Sequence, residues 1–359
     1  MVAGKQALIE MGRGLFFGLS SALSLGVLRL IVLLLISVSG LLAGCSGSDR
    51  PSREYLQRLE RVTDMQPLDF PRSDFFAVPN KPDALIKEVR VSFNLLESIE
   101  LDRCGILSLL AEANGPLGKI QNGPPRLQRE LKLFQLTKQC IDSGRAGDLI
   151  KQVDRLRRGR WSVRFWNILL ESPEVGRLYA ASGLQGDVVI SLSRPLQILL
   201  QAQRSPERVN IDNVYPAFQA LSNFAGGKFW RELKLLTAEL QLAEERVEAF
   251  SAMGSCNNPF RRKQVKRMQG LLYRYFIPEI QTRMVLLARQ AELLEGFWLE
   301  MLKNKRLLVG LEFQNYLNRL VGQGGLVSQF RKVSVSHAQA WNDLLKKCDM
   351  SPGVNRLNG

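Results

Sequence analysis

Histidine is almost absent from this chain: His337 stands alone among 359 residues. Proton relays of the Ser-His-Asp and Cys-His kinds need an imidazole beside a nucleophile. Here the single imidazole shares a helical stripe with Trp341, one turn away, the setting of a packed core histidine. No HExxH, no Walker-type phosphate loop and no GxGxxG occurs. Gly226-Gly227-Lys228 and Gly322-Gln323-Gly324-Gly325 are short glycine turns without the flanking strand that phosphate loops require. The five cysteines never fall in a Cys-x-x-Cys spacing, so a zinc site lacks its ligands. No cofactor and no metal is expected.

Long apolar runs are also scarce, with one exception near the start. Residues 1–29 carry Lys5, Arg13 and Arg29 against the single acid Glu10. An apolar run from Leu30 follows and ends at Leu42-Ala43-Gly44-Cys45. A stretch of about a dozen apolar residues is too short to span a bilayer and matches a signal-peptide core. An uncleaved span from Leu15 to Leu42 is the rival reading, but Arg29 and frequent Gly and Ser interrupt it. Leu-Ala-Gly-Cys resembles the lipobox of bacterial lipoproteins. That resemblance implies cleavage before Cys45, diacylglycerol on its sulfur and an acylated amino terminus. Acyl chains anchor at about 0.8 kcal/mol per buried CH₂, and two or more hold stably. Ser46 follows where the sorting rule of such lipoproteins uses Asp for retention at the inner membrane. The periplasmic side of the outer membrane is therefore expected. Residues 1–44 read as signal peptide and 45–50 as a short polar tether.

Acids are the minority charge, 34 against 49 Lys plus Arg. Without the leader the balance is 46 to 33, about +13, which suits an anionic partner. Two segments concentrate it: Arg155, Arg157, Arg158 and Arg160, and then Arg261, Arg262, Lys263, Lys266 and Arg267. The second opens a helix, where cations oppose the macrodipole and an anion would compensate. Both are candidate anion-binding clusters, set against the plainer reading of a solvated basic face. Nucleic acid is not expected, since no recognition motif is present and an envelope rarely offers it.

Four cysteines remain beyond the anchor: Cys104, Cys140, Cys256 and Cys348. An even number in an oxidising periplasm reads as two disulfides with three connectivities. Pairing Cys104 with Cys140 and Cys256 with Cys348 is favoured, because each pair lies within one half of the chain. Such closures contribute on the order of 3 to 5 kcal/mol each, less any strain.

Residues 51–359 read as a single helical domain with a candidate sub-division near 203–213. A helix from Pro51, capped by Ser48 or Asp49, turns Tyr55, Leu56, Leu59 and Val62 inward. Pro67, Pro71, Pro79 and Pro82 make the next stretch irregular. Val89, Val91 and Phe93 alternate with polar residues, which suits a short strand or an extended lead into a helix. A helix over about 98–113 carries Cys104; a loop at Gly123-Pro124-Pro125 precedes another through Cys140. Phe229, Leu233, Leu236, Leu240, Ala243, Val247 and Phe250 then step by four and three. Tyr273, Ile277, Ile280, Met284, Leu287, Ala291, Leu294, Trp298 and Met301 do the same. Each row keeps one apolar stripe toward a partner helix. The turn between them makes an antiparallel hairpin, with Pro278 kinking the second arm or marking its start. A last helix aligns Phe330, His337, Trp341, Leu344 and Cys348. The expected fold is all-α, a disulfide-stapled helical bundle with a long antiparallel hairpin.

Asp102-Arg103-Cys104-Gly105-Ile106, Ala111-Glu112-Ala113-Asn114, Leu117-Gly118-Lys119, Leu136 to Cys140, Gly227-Lys228, and His337-Ala338-Gln339-Ala340-Trp341 to Cys348 with Pro352-Gly353 together resemble a domain of unknown function, DUF3080, of gammaproteobacterial lipoproteins. The resemblance implies one domain over nearly all of the mature chain and brings no activity or ligand. Asn114 is followed by Gly115-Pro116 where the family would have serines. The functional expectation is a non-enzymatic envelope module, contacting an anionic envelope polymer or an envelope protein. The alternative is a peptidoglycan-directed hydrolase. Glu97-Ser98 and Glu171-Ser172 offer the transglycosylase dipeptide without its downstream segment, and Glu97, Asp102 and Glu112 are acids that a carboxylate pair would draw on.

Overall fold

The computed structural model describes residues 50–351 apart from 73, 81–83, 89–94, 181–184 and 304–310, with the backbone alone for 95–98. Cys45, the caps Ser48 and Asp49, Pro82 and the Val89-Val91-Phe93 alternation lie outside the described residues. Among those described there is no strand, and Asp187 with Phe224 forms a lone bridge. The fold is helical, as periodicity predicts.

Helix α1 (Pro51–Thr63) begins on a proline, whose missing N–H costs nothing in a first turn. It buries Tyr55, Leu56 and Leu59, leaves Val62 half-buried, and ends where Asp64 turns left-handed at φ 53°. The irregular 66–80 segment is pinned from outside: Arg246 donates to the Gln66 carbonyl and Lys234 to that of Asp74.

A smaller group follows: α2 (Leu95–Asp102), α3 (Ile106–Asn114), α4 (Pro116–Ile120) and α5 (Pro124–Asp142). The single helix expected over 98–113 is two. Gly105 sits at φ 66°, a left-handed conformation that breaks the helix beside Cys104. The expected loop at Gly123-Pro124-Pro125 is instead the start of α5, because two prolines fit a helix's first positions. Cys104 bonds Cys140 with Cα atoms 5.7 Å apart. Leu101, Ile106, Leu109, Leu133, Ile150 and Val153 surround that bond in a core of their own.

The remaining chain builds the main core. It runs through α6 (Asp148–Glu171), α7 (Pro173–Gly176), α8 (Ser193–Arg204) and α9 (Val214–Ser222), then α10 (Gly226–Ala252) and α11 (Pro259–Leu271). A π-helical segment (Leu272–Gln281), α12 (Thr282–Leu302), α13 (Leu311–Val321) and α14 (Leu326–Lys347) complete it. Short turns at Pro206–Arg208 and Ile211–Asn213 occupy the candidate sub-division, where Gln135 and Gln128 of α5 donate to the Val209 and Ile211 carbonyls. The described residues from Pro51 onward form one compact unit. The Gly226-Gly227 pair serves packing: a Cβ on Gly226 would meet the Arg177 carbonyl oxygen at 1.6 Å.

The arms α10 and α11–α12 run antiparallel, since Arg261 lies over Phe250 at one end and Arg283 pairs with Glu232 at the other. Their stripes do not chiefly face each other. Helix α10 packs on α14 and on α1, and α1 packs in turn on α11 and the π segment. Glu244 meets Ser336 and Ser251 meets Lys347, so α10 and α14 run parallel. Tyr273 and Ile277 depart from the expected stripe, being 41% and 39% exposed, while Phe276 is buried. The π segment explains this: Pro278 offers no N–H to the Arg274 carbonyl, and the widened turn rotates the register. Cys256 bonds Cys348, Cα atoms 5.3 Å apart, fastening the hairpin turn to the end of α14.

Candidate functional site

His337 is 1% exposed and belongs to a buried triad. The Tyr55 hydroxyl lies 3.1 Å from its Nε2, and the Trp341 indole N–H donates to that hydroxyl at 2.9 Å. Phe276 covers the ring at 4.6 Å between centroids. Burial pushes the His337 pKa down to about 4, which keeps the ring neutral. A neutral, enclosed imidazole ties α1 to α14.

The first basic cluster is divided by the fold. Arg157 turns inward to the carboxylate of Glu130, which is only 5% exposed. Arg164 reaches the same carboxylate at 3.3 Å and Glu88 at 2.9 Å. Arg126 joins Glu88 at 3.0 Å and also pairs with Glu171. Asn167 closes the network, donating to Glu88 and to the Ile86 carbonyl while accepting from the Ile86 N–H. Burial alone would raise the Glu130 pKa, but Arg157 and Arg164 outweigh it and hold the carboxyl below its usual range. Arg158 is committed to Asp154 and Glu207 at 2.8 and 3.0 Å. The four candidate anion-binding residues Arg155, Arg157, Arg158 and Arg160 thus take different positions in the fold. Arg157 is an internal strut, Arg158 a surface clamp, and Arg155 and Arg160 remain on the exposed face.

The acids of the hydrolase alternative are likewise placed. Glu171 pairs with Arg126, and the buried Ser172 caps α7 by accepting from the Val175 N–H. Glu112 is exposed and meets Arg129 at 3.8 Å, while Asp102 faces solvent. The side chain of Glu97 lies outside the described residues. A shallow groove between the C-terminal ends of α10 and α14 holds about 230 Å³, with Glu248, Asp343 and Lys347 on its walls.

The second basic cluster stays at the surface. Arg261 folds back with its guanidinium 3.8 Å from the Phe250 ring centroid. Asn258 caps the helix by accepting from the Phe260 and Arg261 N–H groups, so the first-turn amides already have a partner. Arg262, Lys263, Lys266 and Arg267 are exposed. No ion pair between these four and a described residue occurs within 4 Å. Val265 and Met268 are buried on the other side, which fixes the phase of the helix. Sequence patterning alone did not single out Phe260, 69% exposed, or Met253, 65% exposed, beside this cluster. Their signal was an aromatic and a thioether within a turn.

A family model described as a protein of unknown function (DUF3080) matches residues 52–352. The chain belongs to that family. The match spans both disulfides, the buried network and the basic helix. No curated protein and no solved structure matches the chain.

Proposed function

We propose that this DUF3080 protein is a lipid-anchored module of the cell envelope. It acts without catalysis, at the periplasmic side of the outer membrane, by holding an envelope protein or an anionic envelope polymer. The observation that carries this reading is Leu42-Ala43-Gly44-Cys45 placed just ahead of Pro51, where the helical body starts. An anchor that close to a basic body keeps it near an anionic surface. The internal use of Glu130, Glu171 and His337 supports a binding role over a hydrolytic one, since each is occupied in packing.

The test is the mass of the mature amino-terminal peptide from cell membranes. Diacylglycerol and an acyl group on Cys45, lost with Cys45→Ser, are the expected result. An unmodified or uncleaved amino terminus in membranes would overturn the reading. Crosslinking in intact cells should then recover a reproducible partner; a lipidated protein that captures neither protein nor polymer would sink the binding role.

A further inference from the structure

The exposed side of α11 continues into the π segment. From Pro259 to Gln281 the chain carries Arg261, Arg262, Lys263, Lys266, Arg267 and Arg274 against the single acid Glu279. With Arg261 folded onto Phe250, the other five cations face solvent. Apolar groups are interleaved with them: Phe260 is 69%, Tyr273 41% and Ile277 39% exposed. The displaced register of the π segment brings Tyr273 and Ile277 out of the core and onto this side. Cations interleaved with exposed aromatic and aliphatic groups along one helical face are what an interfacial surface needs. Basic heads meet phosphates while rings enter the headgroup layer.

We propose that this face docks on an anionic lipid surface, with α11 and the π segment lying flat on it. Charge complementarity selects the occupant: five exposed cations and one acid repel a basic partner and leave little for a neutral one. Geometry agrees. Arg58 stacks on Tyr275 and Gln264 donates to the Val62 carbonyl, so α11 and the π segment run back alongside α1. The π segment is thus the part nearer Pro51. The proposal deepens the anchored-module reading and rests on it for the supply of lipid, though the docking chemistry is independent of acylation.

The experiment uses full chain purified from membranes and reconstituted into vesicles of phosphatidylcholine, with or without phosphatidylglycerol. Brief amine acylation read by mass spectrometry reports Lys263 and Lys266, with exposed Lys119 as the control. Protection of at least about fivefold at Lys263 and Lys266 is expected in the anionic vesicles alone, reversed by about 0.5 M salt. Arg262→Glu with Arg267→Glu leaves both reporters in place and should return them to the phosphatidylcholine rate, with an unchanged melting profile. Equal rates in both vesicles overturn the proposal, as does protection that salt does not move or that appears only with a crosslinked protein. The mass of the Cys45 peptide, taken on the same sample, separates the two readings. A lipidated chain without protection sinks the docking face alone, and an unlipidated chain that is protected sinks the anchor alone.

Discussion

Two segments of this chain look alike in the sequence and have opposite fates. Residues 155–160 hold four arginines and 261–267 hold five cations, neither with an acid among them. In the first, Arg157 is drawn inside by Glu130 and Arg158 is clamped by Asp154 and Glu207. In the second, Arg261 lies against a phenylalanine ring and four cations stay in solvent. The difference lies in what packs against each helix. Helix α5 and the 84–88 segment bring Glu130 and Glu88 to α6, whereas α11 meets its neighbours through Val265, Met268, Gln264 and Gln269, with no carboxylate ion pair among the described residues. Local cation density is thus a poor guide to a binding face, because most of the deciding acids, Glu88, Glu130 and Glu207, come from remote chain.

The strongest way to break the comparison is Glu130→Ala. Arg157 and Arg164 would keep their charges without the buried carboxylate, and a loss of about 3–5 kcal/mol is expected, nearer the lower end because Arg164 retains solvent. Urea denaturation measures it; a loss under about 1 kcal/mol would mean the network is effectively solvated.

Acid titration comes next, because the network and the histidine triad respond in different windows. The folded His337 pKa is lowered from about 6.5 to about 4, so the unfolded chain binds the proton more tightly. Stability from the neutral ring is full above pH 6.5 and falls as pH drops toward 4, by about 3 kcal/mol in all. Tyr55, Trp341 and Phe276 are the groups that face it, and none supplies a countercharge there. Glu130, held low, contributes above the carboxylate range and is lost only as pH falls through its folded value. Denaturation midpoints across pH should show the upper slope, and His337→Gln should flatten it. A wild-type curve flat from 6.5 to 4 would contradict the enclosed triad.

The smallest effect is expected at α11. Arg262→Glu with Arg267→Glu should change stability by no more than about 0.5 kcal/mol, since both side chains are exposed. Thermal melts check this. A loss above about 1 kcal/mol would mean these cations are structural after all and would bring the two segments together.

How much was readable in advance depends on the range of the interaction. The stripe from Phe229 to Phe250 was legible because four-and-three spacing is a local property, and every member is buried. The disulfide pairing was favoured by proximity along the chain. The break at Gly105 was not legible, since a glycine within a helical pattern is tolerated and only its left-handed φ reveals the corner. Tyr273 and Ile277 satisfied the spacing and still face solvent, because a π turn alters the count on which spacing rests. For the candidate sites, the sequence separated the cations into two segments but offered nothing to rank them.

Composition and periodicity therefore determine the helical class and the basic balance, properties of single residues or of neighbours within a few turns, and the even cysteine count implies two staples without fixing their pairing. Tertiary structure decided which stripe meets which helix, that His337 is an enclosed imidazole, and which arginines are spent inside. Those outcomes depend on partners such as Glu88, Glu130 and Tyr55, far along the chain, whose approach costs chain entropy that only the assembled core repays.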